Sequence, residues 1–130
     1  MQTRMHRVVD GGFPYLVAQI DGRVAGYCYA GPYRARIAYR HTIEDSVYIA
    51  PGMIGRGIGH ALLSELLKLC TERGYREVVA IIGDSANHPS IRLHHKSGFV
   101  PVGTLRNVGY KFDRWLDTVV MQKSLVAGER

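Results

Sequence analysis

The sequence predicts an α/β domain built on a mixed sheet, with elements in the order β-β-β-α-β-α-β-β. Three observations carry this reading. Short apolar runs near the start are separated by turn residues of the hairpin type. One long helix then presents Ile58, Ala61, Leu62, Leu66, Leu69 and Cys70 at helical spacing. A short, continuously apolar strand follows, and strand-helix-strand in mid-chain requires a parallel crossover. The 130 residues fit a single domain over 1–130, large enough to bury a core without covalent staples.

Each element has a local justification. Tyr15-Leu16-Val17-Ala18-Gln19 reads as a strand, and Asp21-Gly22 is a two-residue hairpin signal. Arg23 to Ala30, rich in Val and Tyr, is the return strand, broken by Gly31-Pro32. Residues 33–42 form an irregular polar-aromatic loop, and Ile43 to Ala50 is the third strand, ended by Pro51-Gly52. The long helix spans about Gly57 to Arg73, with Arg73-Gly74 as its stop signal. Glu77 to Ile82 is a short strand with a continuous apolar run after Glu77, as expected when both sheet faces are covered. Pro89 to Ser97 is a second helix closed by Gly98. Phe99 to Leu105 and Leu116 to Gln122 are the last strands, Trp115-Leu116-Asp117 reads as core and turn, and the tail Val126–Arg130 is expected to fray.

Composition excludes several classes. With 46% hydrophobic and 22% charged residues the chain is neither disordered nor fibrous. No apolar run has the length of a membrane span, and Met1 to Arg7 lacks the apolar core of a secretory signal. Cys28 and Cys70 lack metal-ligand spacing and read as small core residues, consistent with a reducing cytoplasm and no metal. The net charge of +6 admits nucleic acid, an anionic surface or a polyanionic ligand. The basic residues are scattered, however, which argues against nucleic acid, and no membrane partner is indicated. Only Arg34, Arg36 and Arg40 cluster, beside Tyr33 and Tyr39, and a solvated surface is the plain reading of any one of them.

The most informative stretch is the turn Ile54-Gly55-Arg56-Gly57-Ile58-Gly59 between the third strand and the long helix. Free N–H groups at a helix N-terminus attract anions, and glycines let a phosphate approach the backbone. The alternative is a tight turn in which Gly59 only allows close packing. The turn is not a P-loop, since no Gly-Lys-Ser/Thr is present, and its last spacing does not fit a dinucleotide fingerprint.

This turn resembles the acetyl-CoA-binding turn of the GNAT acetyltransferases, Gln/Arg-x-x-Gly-x-Gly/Ala, and the run from Asn87 through His94 to Gly98-Phe99 resembles that family's second signature. A closer resemblance runs from about Pro14 to Gln122. Tyr29 to Arg36, Thr42 to Tyr48, Ala80 to Gly83, Gly103 to Arg106 and Gly109 to Lys111 are similar to phosphinothricin N-acetyltransferases, which also act on methionine sulfoximine. Two departures stand out. Ile54 occupies the position usually held by Gln or Arg, with Arg56 as a partial substitute. The family also begins with a strand and one or two helices that wall the acceptor pocket; too few residues precede Tyr15 for these, so the chain is expected to lack that unit.

The resemblance implies acetyl-CoA as co-substrate and the primary amine of a small amino-acid analogue as acceptor, of the phosphinothricin, methionine sulfoximine or methionine sulfone type. The cofactor would contact Val47, Tyr48, Ile49, Ile54, Gly55, Arg56, Gly57, Ile58, Gly59 and Asn87, with a backbone N–H near Val47–Tyr48 as oxyanion site. Amide formation needs a neutral amine and a protonated leaving thiolate. Glu44 is implied as general base; a surface carboxylate paired with Arg is the plainer reading. His94 is implied as the thiolate-side acid or a sulfur-positioning group, against a surface histidine like His95. Asn87 fits pantetheine amides or a helix N-cap equally. Arg34, Arg36 and Tyr39 are implied to meet the acceptor's anionic group. The third and fourth strands should splay to admit pantetheine, and an exposed sheet edge favours a homodimer. The alternative function is a non-catalytic acyl-CoA-binding protein.

Overall fold

The computed structural model describes residues 11–126. The expectations about the start of the chain and the frayed tail fall wholly or largely on residues 1–10 and 127–130, outside that range. The elements are β1 (Tyr15–Ile20), β2 (Arg23–Pro32), β3 (Thr42–Ile49), α1 (Ile58–Glu72), β4 (Glu77–Ile82), α2 (His88–Lys96), β5 (Val100–Lys111) and β6 (Arg114–Ser124), with a 3-10 turn at Ile37–Tyr39. The six strands form one sheet in the order β1-β2-β3-β4-β6-β5. Only β3 and β4 pair in parallel, across the α1 crossover, as the strand-helix-strand order demands.

Both helices pack on one face of this sheet. Leu62, Leu63, Leu66, Leu67 and Cys70 of α1 meet Cys28, Ala30, Ile43, Val78, Ala80, Ile82 and Met121 from the strands, and Ile91 and Leu93 of α2 join them. Burying this set is the main drive to fold. Close approach is built into two glycines. A Cβ on Gly26 would stand 2.6 Å from the Tyr48 carbonyl oxygen, and one on Gly59 would stand 3.2 Å from Leu93. The opposite face carries Tyr15, Tyr27, Tyr29 and Tyr48, whose rings neighbour each other at centroid spacings of 5.1–6.4 Å. Register puts Glu44 and Ser46 on that same face. Among the described residues no helix is long and apolar enough to cross a membrane.

Two expectations change. The apolar run of β4 suggested that both its faces are covered, yet Ile81 is 44% exposed, because both helices lie on the other side. The last two strands are also longer than their sequence suggested, forming a hairpin arm that reaches Lys111 and Arg114. Its tip is Phe112-Asp113, both at positive φ (55° and 58°), the mirror-image turn that hairpins favour, made without the usual Asn-Gly. Trp115 therefore lies on strand β6 at 64% exposure, beside Tyr110, and is neither core nor turn.

Candidate active site

The site begins where β3 and β4 part. They pair at Thr42–Glu77, Ile43–Val78 and Glu44–Val79, and no further, although β3 continues to Ile49 and β4 to Ile82. The splay expected from the sequence is thus present, and Glu44 is the last paired residue of β3. Backbone groups of β3 that face β4 beyond this point have no strand to pair with, which makes them available to a ligand. Two cavities lie along the gap. One of about 210 Å³ is lined by Glu44, Asp45, Ser46, Ala80, Ile82 and His94 among others. The other, about 380 Å³, is lined by Tyr48, Ile49, the glycine turn and one side of α2. Val47, Asn87 and Ser90 line both, so the two are continuous in lining.

The glycine turn is shaped by backbone conformation. Gly52, Gly55 and Gly57 have φ of +84°, +88° and +78°, a region costly for most side chains. Gly57 is the N-cap of α1, and no side chain caps that helix and no acidic residue stands in its first turn. The helix dipole and first-turn N–H groups thus face the larger cavity uncapped. A Cβ on Gly57 would meet nothing within 4 Å, so its glycine answers to φ alone. Gly59 does what the alternative reading proposed: it lets α1 approach Leu93 of α2. Gly55, Ile54 and Ile58 line the cavity, with Ile54 63% exposed, while Arg56 is exposed and lines neither cavity. Met53, His60, Pro89, Leu93 and Lys96 also line the larger cavity, and no local pattern distinguished them in the sequence.

Around the smaller cavity the geometry is more specific. Glu44 is half-buried; burial, and then the charge of Asp45, raise its carboxyl above the ordinary value. His94 is buried at 4% exposure, not on the helix surface, whereas His95 beside it is exposed. Its Nδ1 lies 2.8 Å from the Ser90 carbonyl oxygen and its Nε2 lies 2.7 Å from Asp45 Oδ2. A carbonyl only accepts, so Nδ1 carries a proton. Burial pulls the imidazole pKa down, but the hydrogen bond and charge of Asp45 and the Ser90 carbonyl outweigh it, and the net shift is upward. Both ring nitrogens are thus held by protein groups.

Asn87 takes the N-cap role: its Oδ1 accepts the Ser90 N–H at 3.3 Å, and it also lines both cavities. Arg34, Arg36 and Tyr39 are exposed and line neither cavity. Arg34 lies over the Tyr33 ring at 5.0 Å, and Tyr39 meets the same ring edge-on. Their loop leaves the sheet at the Pro32–Ile43 pair, next to the Gly31–Glu44 pair. Sequence reasoning missed Asp45, Ser46 and Ser90. Asp45 differs from other strand residues in being a charge on the buried face, a signal visible only once the strand's facing is known. Cys28 and Cys70 are buried free thiols, pushed up by burial to about 12 and about 11, and so behave as the core residues expected.

Comparison with known proteins follows this geometry. The family described as acetyltransferase (GNAT) matches residues 3–99. The phosphinothricin N-acetyltransferase of Alcaligenes faecalis is 52% identical over 129 residues, covering 99% of this chain and 66% of its own length. The L-methionine sulfoximine/L-methionine sulfone acetyltransferase of Salmonella typhimurium is 43% identical over 114 residues, covering 88% of this chain and 66% of its own. A phosphinothricin acetyltransferase from Sinorhizobium meliloti, solved with acetyl-CoA, superposes with a TM-score of 0.93 at 45% identity, covering 99% of this chain and 70% of that one. The chain therefore spans about two thirds of the length of the curated relatives it matches.

Proposed function

The chain belongs to the acetyltransferase (GNAT) family, and from that premise we propose that it binds acetyl-CoA and transfers the acetyl group to the primary amine of a small amino-acid analogue. The observation that carries this is the parting of β3 and β4 beyond Glu44–Val79, with two cavities running along the gap from the uncapped α1 N-terminus to Glu44. The bound acetyl-CoA of the Sinorhizobium meliloti relative supports the cofactor. Acetyl-CoA supplies the activated acyl thioester. The turn from Gly55 to Gly59 would hold its phosphates, and Val47, Tyr48 and Ile49, with Asn87 and Ser90 opposite, would hold its pantetheine.

Glu44 is the general base. The acceptor ammonium gives its proton to Glu44, directly or through one water, and the amine nitrogen then bonds to the thioester carbonyl carbon. A β3 backbone N–H near Val47–Tyr48 stabilises the carbonyl oxygen as negative charge develops. The carbon–sulfur bond breaks, and the nitrogen's second proton passes to the departing thiolate, directly or through water, leaving a neutral amide and a free thiol. The raised carboxyl of Glu44 suits this role, since an effective base has a pKa closer to the working pH. His94 stands buried beside the slot, its ring nitrogens held by Asp45 and Ser90.

Acceptors of the phosphinothricin, methionine sulfoximine and methionine sulfone type are favoured by the named activities of the relatives. Arg34, Arg36 and Tyr39 meet the acceptor's anionic group, a role supported by the position of their loop at the Glu44 end of the sheet. The reading extends to one domain, supported by the single six-stranded sheet, and to a cytoplasmic homodimer, supported by buried free thiols and by the exposed apolar arm.

Titration calorimetry with acetyl-CoA, then thiol release with the three analogues, tests the reading. Micromolar-range binding and turnover of at least one analogue are expected. Absence of binding sinks it; binding without turnover of any amine leaves an acyl-CoA-binding protein.

A further inference from the structure

Beyond Glu44, the strand β3 carries a carboxylate that the reaction does not use. Asp45 is the first residue past the last β3–β4 pair, and its side chain is fully buried. Neighbouring strand residues point to opposite faces, so Asp45 lies on the helix face while Glu44 lies on the tyrosine face. Across the gap stands His94, whose Nε2 is 2.7 Å from Asp45 Oδ2. The same ring donates through Nδ1 to the Ser90 carbonyl at 2.8 Å, in the first turn of α2. A continuous strap therefore runs from β3 through His94 to the turn that bears Asn87 and Ser90, both of which line both cavities.

We propose that Asp45 is a positioning residue for acyl transfer: through His94 it ties α2 to β3 where β3 and β4 have parted, and so fixes the width of the slot and the placement of Glu44. This rests on the acetyl-transfer reading above. Stability alone gives little reason for the pair, because buried ion pairs are seldom a net gain over packed apolar groups. Asp45 Oδ1 is moreover buried without a hydrogen bond from any described residue, which costs stability. The thiols of Cys28 on β2 and Cys70 on α1 are pushed up to about 12 and about 11, and so stay neutral. Phe99 meets the imidazole edge-on with centroids 4.9 Å apart.

Two variants and one spectrum test this. Asp45→Ala cuts the strap. It should lower kcat about 10²-fold while acetyl-CoA affinity stays within about threefold, since positioning rather than binding is lost. Asp45→Asn can still donate to a neutral Nε2 while Nδ1–H stays on Ser90, so kcat should fall much less. Its acid limb should move to lower pH, because the charge that raises Glu44 is gone. ¹⁵N spectra should show His94 doubly protonated above the ordinary histidine range in the wild type and neutral in the Asn variant. Should Asp45→Ala fail to fold, the Asn variant decides. A wild-type kcat and pH profile in the variants that fold, or a neutral His94 in the wild type, overturns the proposal. If the wild type binds no acetyl-CoA, the functional reading fails and the positioning role with it, while the His94 spectrum still reports separately on the pair.

Discussion

Glu44 and His94 are both perturbed by burial, but their partners act on them differently. For Glu44 burial and Asp45 push the same way, holding its proton above the ordinary 4.5. The acid limb of kcat/KM is therefore expected above that value, and Glu44→Gln should abolish the limb and lower kcat by at least ~10²-fold. For His94 burial alone would lower the pKa, and the Asp45 and Ser90 contacts reverse it. The sign for stability follows from linkage. A group whose folded pKa is raised gives stability that is complete below its unfolded value and is lost as pH rises through the folded value. Urea unfolding of the wild type should thus show stability falling as pH rises above about the ordinary 6.5 of histidine, and Asp45→Asn should flatten that slope. Glu44 contributes a loss of the same sign, in a window that opens at its ordinary 4.5.

Among the elements, the α1 N-terminus and the β5–β6 arm make opposite use of positive φ. At Gly57 the conformation is met by glycine and leaves a helix end uncapped for an anion. Asparagine tolerates this region and matches aspartate in shape, so it isolates charge from strain. Gly57→Asp should abolish acetyl-CoA binding by calorimetry while Gly57→Asn retains most of it; equal losses would mean that no phosphate lies there. At the arm tip, Phe112 and Asp113 occupy positive φ with ordinary side chains. Replacing them by Asn and Gly should raise stability by about 1 kcal/mol in thermal unfolding, because strain of this kind costs of that order. Activity should not change, since neither residue lines a cavity.

At the scale of the whole molecule, the sheet is lopsided. Its helices cover one face, and its β5 edge carries Val100, Val102, Leu105, Val108 and Tyr110, all more than half exposed. An exposed apolar edge strand is a natural site for association. Light scattering is expected to give a dimer, and charged substitutions at Val102 and Val108 should shift it toward monomer. A dimer indifferent to these changes would have its interface elsewhere.

The order of elements, the two helices and their caps, and the positive-φ glycines were all legible in the sequence, because each depends on residues a few positions apart. Apolar spacing set α1, Asn87 set the start of α2, and Gly57 marked a turn that few other residues can make. The families of residues around Glu44 and His94 were legible as resemblance, and their positions beside one gap agree with it. What the sequence did not carry is everything that depends on distant partners. The raised pKa of His94 comes from Asp45, 49 residues away, acting against burial by the core. The residue at which β3 and β4 part, Glu44, depends on where pairing stops across a helix crossover. The exposure of Ile81 and Trp115 depends on which face the helices cover and how far the arm extends. Local propensity fixes each element; only their packing decides which polar groups lose water, and with it which of them can do chemistry.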